Sequence, residues 1–215
     1  MRILAVADLH GVPETYEAVP TWAAVHDPDA VVLGGDLLRP LPVGETLEER
    51  FRACAAWLSE ALDPIRCPVY YIMGNDDMVE WDPPQERFRS IHGRRIEQDG
   101  FSFVGYQYSL PFMGGIYEKE EAGIAADLEG LQDLVDSRTV LVTHAPPRGV
   151  HHEESPWPIG SESIAGLIRE RCPRVHIHGH THGHFGRTGI HFDVAAGDAP
   201  RGMLIDLEDL THEVL

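Results

Sequence analysis

The sequence predicts an α/β fold with largely parallel strand pairing. Two observations carry that expectation: a series of short apolar runs of strand length, and helical patterns set between them. A third concerns how the runs end. Each leads directly into aspartate, asparagine or histidine, usually beside a glycine.

The strand candidates are Ile3 to Ala7, Ala30 to Leu33, Val69 to Met73, Thr139 to Thr143 and Arg174 to His178. Short apolar runs of this kind fit strands covered on both faces, as parallel strands are. Thr46 to Leu62 and Ser161 to Arg171 have helical spacing, with Ser161 standing where an N-cap is wanted. Near the end the pattern changes. His184 to Arg187, Ile190 to Ala195 and Gly202 to Leu207 are divided by glycine and proline, as in an antiparallel meander. A hairpin is expected at Asp99-Gly100, joining Arg94 to Gln98 with Phe101 to Tyr106. Gln107 to Glu121 and Ala145 to Gly160 read as long loops, where recognition often sits.

With 215 residues, 43% apolar and 24% charged, the chain has a globular balance, and motifs spread along it point to one domain over residues 1–215. No apolar run approaches the roughly 20 residues of a membrane-spanning helix, so no membrane association is expected. Ile3 to Ala7 is too short for the apolar region of a signal peptide, which makes a cytoplasmic protein the expectation. Cys54, Cys67 and Cys172 are odd in number and widely spaced, indicating neither a disulfide framework nor a thiolate metal site. The formal charge of −18, with no basic stretch, counts against nucleic acid as a partner. Lys119 is the only lysine, a bias that a high-salt cytoplasm or a GC-rich coding sequence would produce.

The strand ends carry the chemistry. They supply Asp8-Leu9-His10, Gly35-Asp36, Gly74-Asn75-Asp76-Asp77, His144 and Gly179-His180-Thr181-His182. In open α/β sheets the ligand crevice lies beyond the carboxyl ends of the strands. Residues two apart in extended chain point the same way, so Asp8 with His10, and His180 with His182, can each address one site. Nitrogen and oxygen donors without sulfur suit manganese, iron, zinc, nickel or cobalt. Asp8, His10, Asp36, Asn75, His144, His180 and His182 are too many for one open catalytic ion. Two ions roughly 3.5–4 Å apart, sharing one carboxylate, would use them all. Manganese is the favoured metal.

The ordered series D-L-H, G-D, G-N, T-H-A-P-P and G-H-T-H resembles the calcineurin-like metallophosphoesterases over nearly the whole chain. The resemblance implies a four-layer α/β/β/α sandwich of two mixed β-sheets flanked by helices, with the C-terminal meander in the second sheet. It implies Asp8, His10, Asp36 and His182 around one metal, with Asp36 bridging to a second completed by Asn75, His144 and His180. The implied activity is hydrolysis of phosphoric esters by metal-activated water attacking in line.

One position departs from the family pattern. Where a histidine often follows Gly-Asn and assists the leaving group, this chain has Asp76. A carboxylate beside two cations is held ionised and is a poor proton donor. His151 and His152, in the loop after His144, are alternative candidates by position. The expected substrate is therefore a small phosphodiester or nucleotide with a good leaving group. A nuclease of the same family is the alternative, disfavoured by the acidic charge. A catalytically weak metal-binding interaction protein is another, disfavoured by the intact ligand series.

Other polar and aromatic residues have simpler readings. His176 and His178 share one face of a strand and are expected to hydrogen-bond in the core, as is His191 on the meander. His26, His92 and His212 are expected at the surface. Trp81, Trp157, Phe112 and Tyr117 are expected to pack their loops rather than wall a pocket, and Asp127, Glu129, Asp133 and Asp136 to form a solvated helical face.

Overall fold

The computed structural model describes residues 1–150 and 159–215. Two mixed six-stranded sheets face each other, with helices on both outer sides. The first sheet contains β1 (Arg2–Val6), β2 (Ala30–Gly34), β3 (Val69–Ile72) and β4 (Phe88–Ser90), all parallel neighbours. The second contains β5 (Arg95–Gln98), β6 (Phe101–Tyr106), β7 (Thr139–Thr143) and β8 (Val175–His178), with β9 (Gly186–Thr188) and β10 (His191–Asp193) at its far side. β6, β7, β8 and β10 run parallel, while β5 and β9 close the edges antiparallel.

Strand alternation divides the core between layers. Ile3, Ala5, Val32 and Ile72 of the first sheet meet Phe103, Val140, Val142 and Ile177 of the second. The intervening residues Leu4, Val6, Leu33 and Tyr71 face outward onto α1 (Pro13–His26) and α2 (Leu47–Ala61). On the other side Val104, Tyr106 and Leu141 pack on α3 (Glu121–Leu131) and α4 (Glu162–Arg171). Because both faces of the central strands are covered, most of these runs are apolar throughout, and β8 alternates apolar residues with the buried His176 and His178.

The local signals are used as expected at two helices. Thr46 caps α2 in a reciprocal box with Glu49, and the Ser161 hydroxyl accepts from the Ile164 amide at the start of α4. The hairpin at Asp99-Gly100 has both residues at positive φ, 50° and 79°, the geometry of a tight two-residue turn.

The C-terminal meander requires correction. β9 and β10 form a hairpin on the second sheet, but β11 (Met203–Asp206) crosses to pair antiparallel with β1, and β12 (His212–Val214) extends that first sheet. Met203 and Ile205 thereby fill the space between the sheets, burial that a continued meander would forgo. His92 is also not a surface residue. It is half-buried against Tyr106 and Tyr108, and burial lowers its pKa. In the acidic stretch, Asp127 accepts from the Tyr106 hydroxyl at 2.9 Å and from Lys119 at 2.6 Å, so it ties α3 to its surroundings. Glu129, Asp133 and Asp136 remain exposed.

Candidate metal centre

The carboxyl ends of β1, β2, β3, β7 and β8 meet at one rim, where backbone hydrogen bonds fasten the connecting segments. The amide of Asp8 donates to Gly35 O, His10 to Asp36 O, and Gly179 to His144 O. Asp8, His10, Asp36 and His180 all adopt positive φ, between 44° and 70°. Non-glycine residues in that region are strained, and such strain concentrates at sites that a surrounding structure holds in place.

Two glycines bring the strands close. A Cβ on Gly179 would lie 2.0 Å from Asp8 Oδ2, and one on Gly74 would lie 2.3 Å from Asp36 Oδ1. Both positions therefore admit only hydrogen beside the carboxylates.

Asp8, His10 and His182 offer ligand atoms within 4.8 Å of one another, as do Asp36, His144 and His180. The groups adjoin: His10 Nε2 lies 3.9 Å from Asp36 Oδ2, and His144 Nε2 lies 2.9 Å from Asn75 Oδ1. All seven residues singled out for metal binding in the sequence thus lie close together in one cluster. Their donors are carboxylate, imidazole and amide atoms without thiolate, a set that fits borderline divalent cations. A third group, His10, Asp36 and Asp76, meets the same distance criterion, so Asp76 also faces the cluster.

Neighbours orient these donors. His144 is fully buried, and its Nδ1 lies 3.0 Å from Gly34 O, which leaves Nε2 toward Asn75 and Asp36. The His180 amide donates to both Asp8 oxygens, at 3.1 and 2.9 Å. Asn75 Nδ2 donates to Asp76 Oδ1 at 2.8 Å, turning the Asn75 oxygen toward His144. Asp76 in turn is half-buried, and its amide donates to Asp36 Oδ1 at 2.8 Å.

The electrostatics are those of close opposite charges out of water. Burial opposes ionisation of Asp36, but the charge and hydrogen bond of His144, with His10 and His180, hold its carboxyl below the usual range. Burial likewise opposes protonation of His144, yet Asp36 and Asp8 push it up to about 10. Burial, reinforced by His144, pushes His180 down to about 4. Burial and the neighbouring Asp36 raise Asp76 above its ordinary value. Cations on the adjacent donors would act on that carboxyl in the opposite direction.

Sequence reasoning gave Asp77 no role. It is fully buried and accepts from the amides of Leu37, Leu38 and Gly74, at 3.2, 2.8 and 2.9 Å, locking the segments after β2 and β3 together. Its place two residues after Asn75 was the available signal. Asp193 does similar work, accepting from the Thr181 hydroxyl at 2.9 Å between His180 and His182. His176 Nε2 lies 2.8 Å from the Thr143 hydroxyl and its Nδ1 lies 3.0 Å from His191 Nδ1, on the side of β8 away from the space between the sheets. Trp81 and Tyr117 are buried packing residues, whereas Phe112 is 59% exposed with its ring 6.4 Å from that of His180. His151, His152 and Trp157 lie outside the described residues.

A two-sheet α/β sandwich with carboxylate and imidazole donors at its strand ends defines a metallohydrolase-like class. The sequence matches the calcineurin-like phosphoesterases over residues 1–184, and the chain belongs to that family. Similar solved structures share its fold. TT1561 of Thermus thermophilus has a TM-score of 0.73 at 19% identity, covering 100% of this chain and 97% of that one. A dimetal phosphatase from Danio rerio has 0.56 at 11%, covering 100% and 98%. An archaeal phosphodiesterase has 0.53 at 13%, covering 100% and 99%. No curated protein sequence matches the chain.

Proposed function

We propose that this chain is a single-domain, metal-dependent phosphodiesterase acting on a small diester or nucleotide. Asp8, His10, Asp36 and His182 would hold one divalent ion, and Asn75, His144 and His180 a second, with Asp36 shared and manganese the favoured metal. The observation that carries the reading is the adjacency of the two donor groups across His10 and Asp36. A bound metal pair supplies water activated near neutral pH and attraction for phosphoryl oxygens.

The chain's own residues set the geometry. The His180 amide fixes Asp8, Gly34 O fixes the His144 ring, and Asp76 fixes the Asn75 amide. These contacts keep the donors preorganised, so little rearrangement is needed when charge develops. Asp76 is a hydrogen-bond acceptor to Asn75 and offers the leaving group no obvious proton once cations hold it ionised. That favours esters whose leaving group departs unaided.

The charge of −18 favours a substrate smaller than a nucleic acid. No described helix is long and apolar enough to cross a membrane. The cysteines at 54, 67 and 172 are free, in keeping with a reducing cytoplasm. The test is a hydrolysis screen of purified protein against mono- and diesters, with manganese, nickel, zinc and magnesium supplied separately. Metal-dependent turnover of a diester is the expected result. Absence of turnover on every ester with every metal would overturn the reading.

A further inference from the structure

A cavity of ≈ 330 Å³ opens beside the donor cluster, with His10, Asn75 and Asp76 forming one wall. The remaining walls are largely apolar, built by Leu47, Phe51, Met78 and Met113, with Arg39 at the side. Leu47, Met78 and Met113 are 53%, 36% and 72% exposed. Exposed large hydrophobics are scarce elsewhere among the described residues. Apart from Val25 and Val214, they fall at Met78 or in segments 43–47 and 112–116. Scattered surface apolar residues need no explanation, but a patch concentrated at a cavity mouth marks a binding surface.

The loop that carries Met113 is held in place. The Glu118 carboxylate accepts from the amides of Phe112, Met113 and Gly114, at 2.8, 2.8 and 2.9 Å. Gly115 lies so close that a Cβ there would be 2.3 Å from Asn75 O. The apolar side chains are thus displayed by a backbone fastened against a donor of the centre. Arg39 makes no ion pair among the described residues, and its stem packs over Gly11. A sugar or peptide group would find few hydrogen-bond partners on these walls, whereas hydrocarbon would bury apolar area on both sides. The volume is at the low end of the roughly 300–1,000 Å³ of small-molecule pockets, enough for one substituent.

We infer that this cavity takes the apolar alcohol portion of the phosphate ester, making the substrate class a small phosphodiester with one hydrocarbon substituent. The inference rests on the phosphoesterase reading and narrows it. It is tested by calorimetric titration of the manganese-loaded protein with inorganic phosphate and with methyl, ethyl, propyl and butyl phosphate. Each added methylene tightens binding about fourfold, the equivalent of about 0.8 kcal/mol per buried CH₂. Met113→Ser and Leu47→Ser shrink that increment, and Val25→Ser, on α1, preserves it.

Affinity that stays level from methyl to butyl, with phosphate still bound, would overturn the cavity assignment and leave the phosphoesterase reading standing. So would increments that Met113→Ser and Leu47→Ser both retain. Failure of phosphate and every alkyl phosphate to bind would overturn the two readings together.

Discussion

Gly179→Ala probes the centre without replacing a proposed ligand. The new Cβ would lie 2.0 Å from Asp8 Oδ2 and 2.6 Å from Ala7 Cβ, where ordinary contact begins near 3.4 Å. Ala7 is fully buried between the sheets, so the carboxylate must give way, by about 1.4 Å (3.4 − 2.0) if it alone moves. Metal–ligand distances hold within about 0.2 Å, so Asp8 would leave any coordination sphere it belongs to. Manganese affinity should fall by about 100-fold, the top of the ~10–100-fold range for loss of an outer orienting contact. Overpacking costs about 1–3 kcal/mol, or about 2–12 °C in Tm for a chain of this size. Gly179 does not have positive φ, so the effect is a clash and not backbone strain. The control is Gly130→Ala on α3, where a Cβ meets nothing within 4 Å. It should leave metal binding intact and stabilise by up to about 1 kcal/mol. Calorimetric manganese titration and thermal denaturation of both variants decide the matter. A folded Gly179→Ala protein that binds manganese like wild type would remove Asp8 from the ligand set.

Three further outcomes are expected. Asp36→Asn should weaken both metal positions and cut turnover by about 100-fold or more, whereas His178→Ala should leave most activity, and equal losses at equal folding would contradict the shared role of Asp36. Wild type should hydrolyse an aryl diester better than an alkyl monoester by kcat/KM, and Asp76→His should narrow that gap by about tenfold or more, below the ~10²–10⁴ of a well-placed proton donor; an unchanged ratio would show that Asp76 does not limit the chemistry. Because Asp36 and Asp8 raise the metal-free His144 imidazole to about 10 against its burial, it carries a proton at neutral pH that a cation must displace. Manganese affinity should therefore climb by about tenfold per pH unit for that proton and level off as pH passes through the raised value, and calorimetry in buffers of different ionisation enthalpy would expose a reaction that releases none.

Much of the scaffold was legible because its signals are local. The buried strands β1, β2, β3 and β7 are largely continuous apolar runs, β8 alternates Val175 and Ile177 with histidines, and α2 and α4 have side-chain caps at Thr46 and Ser161. α1 lacks those marks, since Val12 provides no side-chain cap and Pro20 interrupts its interior. Its place comes from Tyr16 and Val19 packing on the first sheet, a tertiary contact that periodicity does not show. β4 and β12 are three residues each, and the pairing of β11 with β1 joins opposite ends of the chain. The residues proposed as ligands were visible because each stands at the end of an apolar run. The role of Asp77 depends on amides that come together only in the folded chain, and so does the cavity walled by segments around Leu47, Met78 and Met113.

Anomalous diffraction from crystals grown with manganese tests the central claim most directly. The account predicts two peaks roughly 3.5–4 Å apart, one contacting Asp8, His10 and His182, the other Asn75, His144 and His180, with Asp36 touching both. A single peak, or peaks away from these residues, would contradict it.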